Sequence, residues 1–589
     1  MNRRSTWVAL LLLILTRAWL VVSAADVHGY GEELGKGAAA KAMLDGLGVE
    51  HWRLAYVYHE GGGFLVTHLR ALAFLLVGPT LLANKLVALF TTTLQLLVGL
   101  RLACAHFGER AAWCFGLAFV FAPDAFLRFS LLSLGTHFEA SILLGLVAHF
   151  TLRIAGGEGR SSRDWLGLGL VAGLGVYFSL LTLAALAWAG IALLVFARRD
   201  LLSKKLLVAA LGFAFGALPL FWMMSHVGLD ALFVRAKEGG ASAKLDRLTA
   251  FADVFVALRR GDLGPWVLAL AYAALAVLGH FIAGPAMDAV KRRKLLLVGA
   301  FVPVFLALYV ASGMAIRPDV GWFFFLRLAP VWFFGTLFAA ACAGELLERA
   351  RGPARFAAWA AFAAVVAVGI TDLVGLVRAG WWKSPGFVAY STSHVKGYDY
   401  AEYFDKLQHH LEGTLEDKIA VLRRYDDDPE LLLPAISLSL FEHAGLPLDE
   451  AIAISKRAHG EQWKTAIKGL RFFVHPSFGH DLAAGFAAIE HVEPEARAPL
   501  AEAIGRAGLG PRFVVEKVRK QLEFVPPDDL REPFLLGTGW RIYRAFGLRR
   551  DLAMEFMFSL PPGVSGTLHD GFQRAEGPDW YPPIPPVSR

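Results

Sequence analysis

Apolar stretches long enough to cross a bilayer, or nearly so, recur from the N-terminus to about residue 380. A spanning helix needs about 20 mainly apolar residues. Such runs read near 5–25, 64–78, 82–105, 111–127, 136–154, 165–181, 183–197, 206–225, 264–284, 295–313, 321–343 and 356–378. The stretch 165–197 reads equally as two short spans or as one span plus a re-entrant piece. The 589-residue chain is 56% hydrophobic and only 19% charged, with a mean hydropathy of +0.49. Soluble domains carry about 25% charge, so the chain is neither soluble throughout nor disordered. Its three cysteines, Cys104, Cys114 and Cys342, all lie inside apolar runs. That excludes a disulfide scaffold and a cysteine zinc site.

Charge divides the chain. Residues 1–380 hold 34 Lys+Arg against 22 Asp+Glu, and residues 381–589 hold 24 against 29. The basic excess therefore belongs to the membrane part and suits anionic lipid, not nucleic acid. Arg3 and Arg4 precede the first run and Val22-Ser23-Ala24-Ala25 could pass for a cleavage site. Arg17 inside that run and the many later spans favour a retained first helix. The positive-inside rule puts Arg3/Arg4, Arg153–Arg163, Arg198–Lys205, Lys291–Lys294 and Arg349–Arg355 in the cytoplasm. Everything after residue 380 then lies outside, in the periplasm of a multi-pass inner-membrane protein. Twelve full spans would break that parity, so eleven or thirteen crossings are expected. The weakest run is 64–78, which carries His68 and Arg70, both costly at the bilayer centre. Two long outer loops are expected at 26–63 and 226–262. In the first, Glu32–Leu44 reads as a helix ended by Gly46; in the second, Leu245, Leu248, Phe251, Phe255 and Leu258 repeat at helical spacing. That second pattern suits either an interfacial helix or an ordinary packed one.

Carboxylates are scarce before residue 380, which makes each informative. Asp26, Glu32 and Glu33 follow the first span, and Glu139 follows His137 at the start of another. At a membrane edge such acids can act as general bases or hold a substrate amine or hydroxyl; equally, they can cap helices as solvated charges. Arg327, in Phe325-Leu326-Arg327-Leu328-Ala329-Pro330, is the clearest cation. Its guanidinium suits a phosphate or carboxylate, or snorkels to head groups. Arg128 and Arg70 repeat the pattern more weakly.

The order of these features resembles the GT-C superfamily of integral membrane glycosyltransferases, which includes the protein O-mannosyltransferases and the lipid A aminoarabinose transferase. The resemblance rests on Leu15-Thr16-Arg17, the paired acids, Lys41-Ala42-Met43-Leu44-Asp45-Gly46, and the run ending Gly78-Pro79-Thr80-Leu81-Leu82-Ala83-Asn84-Lys85. Pro123, Arg128 and Glu139 fit a second family feature loosely, and Arg327-Leu328-Ala329-Pro330 resembles a late Arg-Tyr-x-x-Pro. It covers residues 7–150 well and 160–380 by pattern. Glu replaces the usual catalytic Asp and Leu328 the usual Tyr. The resemblance implies sugar transfer from a polyprenyl-phosphate donor to a lipid, glycan or protein acceptor at the outer face. Glu32, Glu33 or Asp26 would be the base, Glu139 and His137 the second acid site, and Arg327, Arg128 and Lys41 the lipid-phosphate ligands. No metal and no obligatory cofactor is implied. A lipid or solute transporter and a silent scaffold are the competing classes.

After residue 382 the pattern changes to short amphipathic helices separated by Gly/Pro turns, among them 401–411, 428–444, 448–459, 462–474, 481–491, 495–507 and 514–522. The expected architecture is all-α: a GT-C-like membrane bundle over 1–382, then an outer-facing helical domain over 383–589, possibly solenoid-like. That domain is a candidate site for a protein partner or acceptor.

Overall fold

The computed structural model describes residues 3–24, 31–44, 61–78, 81–159, 161–228, 264–279, 287–311, 327–379, 413–423, 429–441, 446–470, 481–508, 515–546 and 550–576, with a few isolated positions. Every regular element among them is a helix. The chain divides into two compact units. The first comprises Met1–Ala25, His51–Ala73 and Leu82–Trp381; the second comprises Asp26–Glu50, Phe74–Leu81 and Trp382–Arg589.

In the first unit we label α1 (Arg3–Ala24), α3 (Gly61–Val77), α4 (Leu81–Phe107), α5 (Glu109–Val120), α6 (Asp124–Phe129), α7 (Ser141–Gly156), α8 (Ser162–Phe178), α9 (Thr182–Phe196), α10 (Lys204–Gly216), α11 (Leu218–Val227), α12 (Gly264–Leu278), α13 (Ala289–Ala311), α14 (Ala329–Arg349) and α15 (Pro353–Ala379); α2 (Gly31–Leu44) belongs to the second. Four described helices are long and apolar enough to cross a membrane: Leu82–Phe107, Ala289–Ala311, Ala329–Arg349 and Pro353–Arg378. The pair Lys204–Gly216 and Leu218–His226, bent by 49°, makes a fifth, and shorter apolar helices accompany them. The stretch 165–197 resolves into α8 and α9, joined by Ser179-Leu180-Leu181.

Helix α14 is the centre of the bundle and packs on α5, α12, α13 and α15. Its Phe334 stacks on Phe301 of α13 at 3.7 Å, and Trp188 of α9 meets Phe301 edge-on at 5.6 Å. The Trp188 indole donates to the Leu297 carbonyl at 2.9 Å, as a buried N–H must in a medium without water. Helices α8 and α10 approach through glycine. A Cβ on Gly169 would lie 1.9 Å from the Ala209 carbonyl oxygen, and one on Gly216 would lie 2.1 Å from that of Leu170. Small residues at membrane helix contacts permit this close packing.

Ion pairs gather at one end of the bundle. Lys294 meets Glu158 at 2.6 Å, Arg153 meets Asp164 at 3.3 Å, and buried Glu345 accepts from Lys291 and, at 2.9 Å, from Arg349. Four of the basic residues expected on one membrane face therefore share one end of the fold.

The tail helices of the second unit, α16 (Leu415–Leu422), α17 (Pro429–Phe441), α18 (Leu448–His459), α19 (Trp463–Ile467), α20 (Leu482–Ile489), α21 (Pro494–Ala507), α22 (Val515–Leu522), α23 (Asp528–Phe546), α24 (Arg550–Phe558) and α25 (Pro562–Glu576), are short. Helix α19 ends well before the expected residue 474, in a turn at 468–470. The expected helix over 401–411 and the expected interfacial helix of loop 226–262 lie outside the described residues.

Candidate functional site

The end of the first unit opposite the ion pairs is built around a non-helical stretch, residues 130–140, between α6 and α7. All eleven of its residues are buried. Irregular backbone at membrane depth survives only where protein or a cavity satisfies its polar groups, and here three elements supply partners. From α4, Thr92 Oγ1 donates to the Ser130 carbonyl at 2.9 Å and Gln95 Nε2 to the Phe138 carbonyl at 2.6 Å. From α3, buried Arg70 donates to the Ser133 carbonyl and, at 2.6 Å, to the Ser133 hydroxyl. From α1, Arg17 Nε donates to Ser130 Oγ at 2.7 Å, and its Nη1 to the Val120 carbonyl at 2.8 Å.

Arg17 thereby caps the C-terminus of α5, whose last carbonyls have no partner inside the helix. A cation at that end also complements the helix dipole. Close to it, Gly62 and Gly135 leave no room for side chains: a Cβ on Gly62 would lie 1.5 Å from the Gly135 carbonyl oxygen. Gly135 has φ +76°, which favours glycine. The run Gly61-Gly62-Gly63 is what lets α3 seat on this stretch.

Glu139 sits inside this frame, 1% exposed, and accepts from the Gly135 amide at 2.9 Å. His137 is buried beside it in sequence. Arg128 Nε donates to Asp124 Oδ1 at 2.9 Å, one turn apart on α6, and the Asp124 amide donates to Asp372 Oδ2 of α15 at 2.9 Å. The Arg128 guanidinium is thus already matched by a carboxylate of its own helix. Asp124 and Asp372 escaped the sequence reading, although the scarcity of acids that singled out Glu139 applies to both. Helix α15 reaches this place through Gly369, where a Cβ would lie 1.8 Å from the Phe121 carbonyl oxygen.

Arg327 is half-buried, just before α14, and lies beside the Tyr309 hydroxyl at the end of α13. One turn on, Trp332 stacks on Phe126 of α6 at 4.4 Å and faces Phe138 at 6.1 Å. This stack seats the start of α14 on the segment that carries Asp124, Arg128 and Glu139. The first unit therefore brings together Arg128, His137, Glu139 and Arg327 at one end.

Glu32, Glu33 and Lys41 are on α2, in the second unit. That helix begins at Gly31, and Gly46 follows it with φ +71°, as the sequence predicts. Glu33 is fully buried and Lys41 half-buried. Asp26 lies outside the described residues, as do His28, His51 and His59. Among the described residues no three His, Cys, Asp or Glu side chains gather as a metal site.

No protein-family model matches the chain, and no curated protein does. Among solved structures it is similar to ArnT from Cupriavidus metallidurans bound to undecaprenyl phosphate, with 17% identity, 83% of this chain and 81% of that one covered, and a TM-score of 0.42. The apo state of that protein matches at 15% identity, 84% of each chain and a TM-score of 0.40. The archaeal oligosaccharyltransferase AglB from Archaeoglobus fulgidus, in complex with an inhibitory peptide and a dolichol-phosphate, matches at 13% identity, 69% of this chain and 58% of that one, and a TM-score of 0.37.

Proposed function

We propose that the chain is a multi-pass membrane glycosyltransferase. It moves a sugar from a polyprenyl-phosphate donor to a lipid, glycan or protein acceptor at the outer face of the inner membrane. The observation that carries this reading is the Trp332–Phe126 stack, because it seats Arg327 on the segment holding Glu139, Asp124 and Arg128. A guanidinium at one end of an apolar bundle suits the phosphate of a lipid carrier, and a carboxylate near it suits an acceptor hydroxyl or amine.

In this mechanism a carboxylate of the first outer loop, Glu32 or Asp26 with Glu33 beside it, takes the proton of the acceptor hydroxyl or amine. The acceptor attacks C1 of the sugar and the polyprenyl phosphate departs. Arg327 stabilises the charge that grows on the leaving phosphate, and Lys41 and Arg128 are further candidates for that task. Glu139 and His137 form the second acid site. The chain carries this out without an obligatory cofactor. Loop 26–50 and the tail share a unit, which supports placing both on the outer side.

The test is release of lipid phosphate by purified protein from a panel of polyprenyl-phosphate sugars. Glu32→Gln or Asp26→Asn is expected to abolish transfer while leaving membrane insertion intact. Unchanged transfer by both variants overturns the assignment of the base.

A further inference from the structure

Helix α15 is apolar over 27 residues and holds one acid, Asp372. An ionised side chain in a spanning helix is costly and marks a functional position. Asp372 directs its charge at α6: its Oδ2 accepts from the Asp124 amide at 2.9 Å. Gly369 lies about one turn earlier on the same face of α15. It lets α15 touch the backbone just past α5, where a Cβ would come within 1.8 Å of the Phe121 carbonyl oxygen. Two neighbouring positions of α15 thus grip both ends of the short link 121–124 between α5 and α6.

Helix α6 has six residues, too few to persist alone. Its first N–H groups need acceptors from outside the helix. The capping position is Pro123, whose side chain makes no cap hydrogen bond. The Asp372 carboxylate, 248 residues further along the chain, does what a capping Ser or Asp does locally, and its negative charge suits that end of a helix. The Trp332–Phe126 stack holds the middle of α6, and Arg17 holds its far end through the Ser130 hydroxyl. Arg128, next to last in α6, has a side chain only 10% exposed, and its Nε donates to the Asp124 carboxylate at 2.9 Å. Asp124 is therefore the shared link: α15 fixes its amide, and its carboxylate fixes the guanidinium.

We infer that Asp372 is a positioning residue for Arg128: it caps α6 from a neighbouring helix and so sets where the Arg128 guanidinium stands. The inference deepens the proposed function and rests on its reading of Arg128 as a ligand of the lipid phosphate. Asp372 then governs how tightly that phosphate is held without touching it.

The experiment makes two measurements on the full-length protein in detergent, neither of which needs turnover. One is hydrogen–deuterium exchange of peptide 121–130; the other is binding of undecaprenyl phosphate, read by native mass spectrometry. Asp372→Leu removes a hydrogen bond to a charged group, so it is expected to speed that exchange and weaken that binding about tenfold each, while peptide 329–349 keeps its protection. Asp372→Asn keeps an acceptor oxygen and is expected to fall between Leu and wild type in both. Thr371→Val is the control and changes neither, because that hydroxyl donates to the Ala367 carbonyl of its own helix. In an Arg128→Gln background, Asp372→Leu is expected to weaken binding by less than about twofold further, since the two residues act through one contact. Unchanged exchange of 121–130 in Asp372→Leu, or an Asn variant no better than Leu, overturns the cap. Where Arg128→Gln itself weakens binding, unchanged binding by Asp372→Leu overturns the positioning of Arg128, as does an equal loss in both backgrounds. Binding by Arg128→Gln that matches wild type refutes Arg128 as a phosphate ligand, and exchange still decides the cap.

Discussion

His459 makes the helical tail acid-sensitive. It is the last residue of α18, is 3% exposed, and neither ring nitrogen has a hydrogen-bond partner. Arg423 lies next to it, donating through Nη1 to the Ala458 carbonyl at 2.7 Å. Burial, reinforced by the Arg423 charge, pushes the His459 pKa from 6.5 down to about 4. The folded chain thus keeps the ring neutral while the unfolded chain takes up a proton. Stability from this group is fully present above pH 6.5 and is lost as pH falls toward 4. At 1.36 kcal/mol per pKa unit, the loss is about 2 kcal/mol at pH 5 and about 3.4 kcal/mol below pH 4. The assay is exchange of peptide 448–470 in wild type and His459→Leu at the same pH, so that intrinsic exchange rates cancel. Between pH 7 and pH 5 the wild type is expected to lose about 20-fold more protection than the variant. Equal losses in the two proteins refute the reasoning.

Two further outcomes are expected. Glu502 is 6% exposed and its carboxylate meets Lys468 at 3.3 Å and Arg506 at 2.5 Å. Burial alone would raise its pKa, but the two cations outweigh that and hold it below 4.5. Glu502→Gln strands two cations and should destabilise the tail by about 3 kcal/mol, read as a lower urea midpoint at pH 7; an unchanged midpoint refutes it. In the bundle, Gly62→Ala should block the seating of α3 on Gly135 and lower the yield of monodisperse protein in detergent, whereas Gly190→Ala, which meets open space, should not.

Much of this was legible in the residues. Apolar runs located most membrane helices, because in a lipid medium length and hydropathy leave the backbone few alternatives. The helix over 31–44 followed from its acids and from Gly46. Helix α23 was obscured by Pro526 and Pro527, which immediately precede it, and by Pro533, which lies inside it; proline usually ends or kinks a helix, so a sequence reading breaks the helix there. At the candidate site, Arg17 stood out as a charge in an apolar run. Its partners, the Ser130 hydroxyl and the carbonyls that end α5, lie more than 100 residues away and leave no local trace. Asp124 and Asp372 were visible as rare acids, but only the folded chain brings them together.

The glycine contact between α8 and α10 has a mechanical consequence. With no side chain between them, carbonyls set their separation, and no rotamer can open a gap. Two slender rods so joined bend together as one plank. Any movement of one must therefore carry the other, up to the 49° bend where Lys204–Gly216 gives way to Leu218–His226.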